Sequence, residues 1–139
     1  MHVYVIAEIG INHNGSMEIC KDLIDIATES GCDAVKFQKR EIDQVYTQEF
    51  LDLPRESPWG STQREQKMGL EFSAEQYKEI DKYCKEKDID WFASAWDLKS
   101  QKFIQQFDCR HNKVASAMIV FPELLRMIAR EGKHTFIST

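Results

Sequence analysis

The chain has 139 residues, which suffices for one ordinary domain and is too short for two large ones. With 42% hydrophobic and 29% charged residues, it has the composition of a globular protein rather than of a disordered or fibrous one. A net charge of −5 at pH 7 argues against nonspecific binding to nucleic acid or to a membrane surface, which requires a basic face. Phosphate chemistry is not excluded, because a few lysines that converge locally can bind an anion.

The cysteines and the N-terminus indicate a cytosolic protein. The four cysteines have no C-x-x-C pair and no zinc-like spacing, so we expect reduced and mostly buried thiols at Cys20, Cys32, Cys84 and Cys109. The first eleven residues have no basic start and carry Glu8 and Gly10 where a secretion signal would be apolar. No apolar run approaches the roughly 20 residues of a membrane span. We therefore expect a soluble, cytoplasmic protein that binds neither nucleic acid nor membrane.

Strands and helices are predicted to alternate from the N-terminus onward. Residues 3–9 are an almost continuous apolar run, typical of a strand covered on both faces, and a turn-rich loop follows over 10–15. Ser16 is a predicted N-cap and Gly31 the end of the first helix, whose inward face is predicted to be Ile19, Leu23, Ile26 and Ala27. The second strand is predicted over 34–38.

The same unit is repeated further along the chain. Residues 73–76 form a capping box for a second helix, with Tyr77, Ile80 and Cys84 inward. A short helix is predicted around Phe103, Ile104 and Phe107. A fourth helix is predicted from Pro122 to Gly132, with apolar positions at Leu124, Leu125, Ile128 and Ala129. The remaining three strands are predicted over 90–96, 113–117 and 134–139.

Strands that alternate with single helices predict βαβ units and a parallel sheet, either open and doubly wound or closed into a barrel. We favour the TIM (β/α)8 barrel because the sequence has no glycine-rich nucleotide-binding motif. In addition, polar residues cluster where strands end, which in a barrel is the active-site mouth. A complete barrel has eight strands and about 250 residues. We therefore expect residues 1–139 to be the N-terminal part of a TIM barrel, truncated after about five strands and four helices, and unstable when isolated.

One polar segment, residues 40–72, interrupts this alternation. A loop of this length in a compact domain is usually functional or disordered. Because it leaves the C-terminal end of the second strand, it would overhang the mouth of a barrel. Its role is either that of a lid that faces substrate or that of a structural flap.

Two lysines and a glutamate are the strongest candidates for chemistry. Lys36 lies inside an apolar strand, where it needs an anionic partner unless it extends to solvent. Lys113 repeats this placement, and two such lysines near serine hydroxyls can bracket a phosphate and a carboxylate. Glu8 also lies in an apolar strand, either as an acid, base or sugar ligand of the mouth or as a structural partner of a lysine.

The histidines and aromatic residues have structural interpretations. No pair among His2, His13, His111 and His134 has metal-ligand spacing, so structural roles are expected, with His13 in the first βα loop the most notable exception. The aromatic residues Trp91, Phe92 and Trp96 are predicted to be core or barrel wall rather than a platform for stacking sugars.

Four segments, in this order along the whole chain, resemble the sialic acid synthase (N-acetylneuraminate synthase) family, which includes legionaminic and pseudaminic acid synthases. They are 6–15 (IAEIGINHNG), 34–38 (AVKFQ), 113–116 (KVAS) and 136–139 (FIST). The resemblance implies a TIM barrel followed by a small antifreeze-like domain that is not in this sequence. It also implies a homodimer in which that domain reaches the neighbouring active site.

The resemblance implies a condensation of phosphoenolpyruvate with an N-acetylmannosamine-type amino-sugar aldehyde, which gives a nine-carbon keto acid and phosphate. A divalent metal, Mn²⁺ or Mg²⁺, would polarise the aldehyde that C3 of phosphoenolpyruvate attacks. Water would then add at C2 before phosphate leaves. By family motif, phosphoenolpyruvate is held by Lys36, Lys113, Ser116 and Ser138. Glu8 and Gln38 would face the sugar or the metal-bound water, with Glu8 and Lys36 as the catalytic residues.

Two departures limit what the resemblance implies. Relatives often have a glutamate, which contacts the sugar, at the position of Met118, and a thioether cannot replace that carboxylate. The metal-binding histidines of the family lie in later strands, so no metal ligand is expected in this chain, which alone is expected to be inactive. Two alternatives stay open: another phosphoenolpyruvate-dependent sugar-aldehyde synthase, as in Kdo 8-phosphate or shikimate-pathway synthesis, and a non-catalytic sugar-binding relative.

Overall fold

The computed structural model describes residues 2–139. The strands in that range are β1 (Ile6–Gly10), β2 (Ala34–Lys39), β3 (Pro54–Ser57), β4 (Gly60–Thr62), β5 (Asp90–Ala95), β6 (Asn112–Val114) and β7 (Thr135–Ile137). The α-helices are α1 (Met17–Glu29), α2 (Ile42–Val45), α3 (Gln48–Leu51), α4 (Gln63–Gly69), α5 (Ala74–Glu86), α6 (Leu98–Ile104) and α7 (Pro122–Ala129).

Five of the strands form one parallel sheet in the order β1-β2-β5-β6-β7. A separate antiparallel hairpin consists of β3 and β4. Each crossover between neighbouring strands of the main sheet contains at least one helix, since parallel strands cannot be joined by a tight turn. The predicted parallel α/β sheet is therefore confirmed.

The central strands are buried on both faces, which accounts for their continuous apolar sequences. All of β5 except Asp90 is buried, as is all of β2 except Gln38. The main hydrophobic core joins β2 and β5 to the inward faces of α1 and α5 and includes Val35, Phe37, Phe92, Ile24 and Ile80. A second, smaller cluster links β6 to α7 through Val114, Leu124 and Ile128.

The second predicted helix is confirmed as α5, both at its start and on its inward face. Ser73 and Gln76 form the reciprocal capping box. The predicted inward residues Tyr77, Ile80 and Cys84 are all buried. The Tyr77 hydroxyl donates a hydrogen bond of 2.8 Å to the backbone carbonyl of Gln38, which ties α5 to the end of β2.

The predicted N-cap Ser16 of α1 is confirmed, and its predicted inward face is right for Ala27 and for the partly buried Leu23 but wrong for Ile19 and Ile26. The helix buries Cys20, Ile24 and Ala27, whereas Ile19 and Ile26 are 40% and 59% exposed. A free cysteine packs as a small apolar residue, so a face defined by aliphatic residues alone misses Cys20. The small side chains on this face fit the close contact of α1 with β1, β2 and α5.

Strand boundaries also differ from the prediction, chiefly in the first and fourth strands and in the fifth, which is β7 at Thr135–Ile137 rather than 134–139. The first strand begins at Ile6 rather than Val3, because the backbone N–H of Val5 donates to the Asp33 side chain instead of to a strand. The fourth predicted strand, 113–117, ends as β6 at Val114. Residues Ser116–Met118 form a single 3₁₀ turn, in which the Met118 N–H donates to the Ala115 carbonyl at 2.8 Å.

Residues 40–72, which we call the flap, are ordered and contain α2, α3, the β3–β4 hairpin and α4. The two ends of the flap meet, because the Arg40 Nε atom donates to Glu71 at 2.7 Å. The Phe72 ring stacks on His13 of the β1–α1 loop with ring centroids 3.9 Å apart. These contacts support a structural role for the flap, and its role as a lid stays a prediction.

All four cysteines are free thiols, as predicted, and no helix within residues 2–139 is both long and apolar enough to cross a membrane. Burial raises the pKa of the Cys20 and Cys109 thiols to about 12 and raises the Cys84 pKa further. Cys32 is only partly buried.

Brief alkylation of the native protein by iodoacetamide at pH 8.5 is expected to modify Cys32 first. Cys20, Cys84 and Cys109 should stay unmodified, because burial blocks access and suppresses the reactive thiolate. Mass spectrometry of tryptic peptides measures the modification, and the protein in urea, where all four should react, is the control. Reaction of Cys84 as fast as Cys32 would contradict the buried placement.

Replacement of Tyr77 by Phe is expected to lower the free energy of unfolding by about 1–2 kcal/mol, because the partly buried carbonyl of Gln38 loses the donor that the buried Tyr77 supplies. Urea unfolding followed by circular dichroism measures this change. The matched control is Tyr83→Phe, whose hydroxyl donates to the partly exposed Asp25. Water can replace that hydrogen bond, so the control should lose less than about 0.5 kcal/mol. Equal losses of unfolding free energy in the two variants would show that the hydrogen bond to Gln38 stabilises the fold no more than the exposed one does.

Candidate functional site

One pocket of about 330 Å³ lies at the C-terminal ends of the strands of the main sheet. Every site residue that the sequence predicted lines this pocket, namely Glu8, Lys36, Gln38, Lys113, Ser116 and Ser138. The other residues that line it are Gly10, Ile11, Asn12, Ser94, Trp96 and Ala115. The parallel sheet therefore brings together side chains that are up to 130 positions apart in the sequence.

Lys36 is buried, with 5% of its surface exposed, so it does not extend to solvent. Its Nζ atom lies 2.8 Å from the Glu8 carboxylate and donates a hydrogen bond of 3.0 Å to the Ser94 hydroxyl. The register explains both contacts, because Glu8 pairs with Lys36 across β1 and β2, and Ser94 lies on the other neighbouring strand, β5. The ammonium group is thus fixed from both sides at the floor of the pocket.

Lys113 supplies the second ammonium group, from β6. Its Nζ atom donates to the Val114 carbonyl at 3.1 Å and to the Ser138 hydroxyl beyond the end of β7. Partial burial lowers the Lys113 pKa, and the nearby charge of Lys36 lowers it further. Glu8 acts in the opposite direction. Lys113 therefore lies close enough to Lys36 for the two charges to repel.

Glu8 is the only carboxylate among the residues that line this pocket. Its side chain is 56% exposed although one of its oxygens contacts Lys36. Two ammonium groups and one carboxylate leave the pocket with a net positive charge. Such a pocket favours an anionic ligand, particularly one with oxygen atoms that can accept hydrogen bonds from several fixed donors.

The remaining predicted residues add polar groups around the lysines. Ser116 begins the 3₁₀ turn after β6 and is exposed. The backbone N–H of Ser138 donates to the Val114 carbonyl at 3.1 Å, which holds the Ser138 hydroxyl beside Lys113. Gln38 lies at the end of β2, which the hydroxyl of Tyr77 anchors from the opposite side.

Ser94 and Trp96 line the pocket but are not among the site residues predicted from the sequence, which placed Trp96 in the core or the barrel wall. Trp91 and Phe92 are buried as predicted, whereas Trp96 is partly exposed and lines the pocket. Since side chains alternate along a strand, Phe92, Ser94 and Trp96 share a face, and this spacing is the signal that identifies Trp96.

Met118, where relatives often have a glutamate, does not line the pocket. Its side chain packs against the small cluster of Val114, Leu124 and Ile128 beside α7. The pocket in this chain therefore has neither a carboxylate nor a thioether from this position.

The histidines have structural contacts, as predicted. Burial lowers the pKa of His13 to about 4, so the ring stacked on Phe72 is neutral near pH 7. His111 and His134 both pack edge-on against the Phe136 ring, and His2 pairs with Asp33 on the surface. Residues 2–139 contain no group of three or more His, Cys, Asp or Glu side chains that could hold a metal ion. The side chains of this chain thus do not by themselves fit a metal site.

The chain is similar to known biosynthetic enzymes along nearly its whole length. It is 38% identical to the N-acetylneuraminate-9-phosphate synthase of Drosophila melanogaster over 99% of its residues. It is 36% identical to the enzyme of the same name from Homo sapiens over 98% of its residues. Among solved structures, it superposes on the N-acetylneuraminic acid (sialic acid) synthetase of Leptospira borgpetersenii in complex with citrate. That match has a TM-score of 0.82 and 22% identity, and it covers 99% of this chain and 44% of the other.

These matches cover only part of the longer proteins. The chain spans 37% of the Drosophila protein and 38% of the human protein. A family model nevertheless matches residues 23–139, which is most of the chain, and the chain belongs to the NeuB family.

Proposed function

We propose that this chain is the N-terminal part of a sialic-acid-type synthase that condenses phosphoenolpyruvate with an N-acetylmannosamine-type amino-sugar aldehyde. The products are a nine-carbon keto acid and phosphate. The observation that carries the proposal is the convergence of Lys36 and Lys113 with three serine hydroxyls in one net positive pocket. Membership of the NeuB family and the names of the relatives support the same reaction.

The strand order supports a TIM barrel rather than an open doubly wound sheet. In a doubly wound sheet the strand order reverses at a switch point, and ligands bind there. In this chain the neighbours β1, β2, β5, β6 and β7 follow one another in chain order without reversal, as in a barrel. The pocket lies at the C-terminal strand ends, where active sites of TIM barrels form. We therefore propose that residues 1–139 belong to a barrel completed by later strands.

In this proposal, Lys36, Lys113, Ser116 and Ser138 hold the phosphate and carboxylate of phosphoenolpyruvate. The two ammonium groups lie on separate strands of a rigid sheet, so they can neutralise two separate anionic groups of one ligand. Their charges are in place before the reaction begins, which lowers the cost of stabilising charge during it. Lys36 is also fixed by Glu8 and Ser94 and requires no rearrangement when the ligand arrives.

Glu8 and Gln38 are proposed to face the amino sugar and the water that adds at C2. One carboxylate oxygen of Glu8 is engaged by Lys36, and the exposed part of the side chain is available to the pocket. As the only carboxylate that lines the pocket, Glu8 is the candidate proton acceptor within this chain. We therefore propose Glu8 and Lys36 as the catalytic residues.

A divalent metal, Mn²⁺ or Mg²⁺, is part of the proposal for the longer protein only. The described residues hold no metal-binding group, so no step of the chemistry in this chain is assigned to the metal. A homodimer and a cytoplasmic location are likewise proposed for the longer protein. Light scattering and cell fractionation test these two points.

The acceptor is the least constrained element of the proposal. Because Met118 points to the α7 cluster, the pocket has no carboxylate from that position to contact a sugar. This observation favours keeping a second candidate, a synthase that joins phosphoenolpyruvate to a different sugar aldehyde. A panel of amino sugars, with and without a terminal phosphate, together with other sugar aldehydes, separates these candidates.

Phosphate release by the full-length protein should require both phosphoenolpyruvate and an N-acetylmannosamine-type sugar. Replacement of Lys36 by Ala is expected to lower this release by about 100-fold or more, because a fixed charge on the anion is lost. The matched control is Lys82→Ala, which removes a lysine with a 79% exposed side chain and should keep full activity. Thermal unfolding verifies that each variant is folded.

Absence of release with every sugar of the panel, from a folded and metal-loaded wild-type protein, would refute the synthase. Ligand binding without phosphate release would instead support a non-catalytic relative. Full activity of the Lys36→Ala variant would refute the assignment of the phosphoenolpyruvate site.

The KM for phosphoenolpyruvate is expected to increase as the pH is raised into the alkaline range. The increase should begin below pH 10.5, which is the ordinary pKa of a lysine. Burial and Lys36 lower the Lys113 pKa, so as the pH rises Lys113 loses its proton earlier than an ordinary lysine, and with it the attraction for the anion. The dependence of kcat/KM on pH measures the effect. The Lys113→Arg variant stays charged over this range and should show a weaker alkaline rise in KM. An identical rise in both proteins would assign the effect to another group.

A further inference from the structure

Gly10 is the last residue of β1 and lines the pocket. Its φ angle is +56°, in the left-handed region that favours glycine over other residues. The proposed reaction assigns no role to Gly10.

A bulge in β1 precedes Gly10. Glu8 pairs with Lys36 on β2, but the next pair joins Gly10 to Phe37, so β1 has one extra residue at this point. Bulges bend a strand and redirect side chains, and they are common beside active sites. At this bulge, Glu8 lies on one side of the irregularity and Gly10 on the other.

The space beside the Gly10 Cα atom is filled by two groups of the site. A Cβ atom added at Gly10 would lie 3.0 Å from the Oε1 atom of Glu8 and 3.4 Å from the Nε2 atom of Gln38. The first separation is shorter than ordinary carbon–oxygen contact. A side chain at this position would therefore displace the Glu8 carboxylate by a few tenths of an ångström.

The two oxygens of Glu8 have different surroundings. Oε2 contacts the Lys36 ammonium group at 2.8 Å, whereas Oε1 is the oxygen that lies over Gly10. A Cβ atom would be in steric conflict with Oε1. The other oxygen, Oε2, stays in contact with Lys36, which Ser94 also holds. The expected response is a rotation of the carboxylate about its contact with Lys36.

We infer that Gly10 is a positioning residue. Because Gly10 has no side chain, the Glu8 carboxylate and the Gln38 amide can occupy the space beside it, and this placement directs both groups toward the amino sugar. This inference rests on the proposed function for the identity of the ligand. The geometric part, that Gly10 fixes the orientation of Glu8, is independent of it.

The test is the Gly10→Ala variant of the full-length protein. Its kcat/KM for the amino sugar is expected to fall by about 3- to 30-fold, since small misplacements of reacting groups have effects of this order. The KM for phosphoenolpyruvate should change much less, because Ser94 still holds Lys36 and Ser138 still holds Lys113.

The matched control is Gly31→Ala. Gly31 has a φ of +78°, so alanine there has comparable backbone strain, but a Cβ atom would meet nothing within 4 Å. Both variants should lose a few degrees of thermal stability, and only Gly10→Ala should lose activity toward the amino sugar. Equal kinetic losses in both variants would show that strain alone is responsible and would overturn the inference.

A crystal structure of the Gly10→Ala protein is the readout that does not depend on activity. A displaced or rotated Glu8 carboxylate supports the inference, and an unmoved carboxylate overturns it. Wild-type protein that releases no phosphate counts against the proposed function, and the position of Glu8 in the Gly10→Ala crystal still decides the role of Gly10.

Discussion

The buried ammonium group of Lys36 is the constraint on which both the sheet and the pocket depend. An uncompensated charge at such a position has a penalty of several kcal/mol, so the chain must deliver a partner to it. Glu8 on β1 and Ser94 on β5 do so from the two neighbouring strands. A slip of one residue in β2 would exchange the directions of Lys36 and Phe37 and place the charge in the core beneath the helices. The contacts with Glu8 and Ser94 that compensate the charge of Lys36 therefore also fix the register of three strands.

The same register determines where the second charge lies. Ser94, which contacts Lys36, is paired with Lys113 on the next strand, so the two lysines are separated by one strand of the sheet. Their separation is set by the backbone and not by flexible loops. The two cations form a rigid pair, and partial burial, together with the charge of Lys36, lowers the pKa of Lys113. A stable fold and a reactive site are thus two results of one arrangement.

Local signals in the sequence predicted some parts of this molecule well. The capping box at Ser73 predicted the start of α5, and polar residues at strand ends predicted where the pocket forms, because parallel strands end at a common edge. Gln38, Ser116 and Ser138 were assigned to the site by the resemblance to the family. The inward face of α1 could not be predicted from its aliphatic residues, since the choice of Cys20 depends on the neighbouring helix. The direction of Met118 depends on a 3₁₀ turn and on packing against α7, neither of which is visible in the sequence. The internal structure of the flap was missed although Thr62 and Glu65 form a capping box at the start of α4, which is a local signal in the sequence.

The closed base of the flap separates two kinds of sequence change. Arg40 and Glu71 meet where the flap leaves β2 and leads into α5, and Arg40 donates to Glu71 from both its side chain and its backbone N–H. The geometry between β2 and α5 therefore does not depend on how many residues lie between these two points, and the entropy of closing a loop grows only slowly with its length. On this argument, a change in the length of the flap alters what surrounds the pocket while the registers of β1, β2 and β5 stay the same.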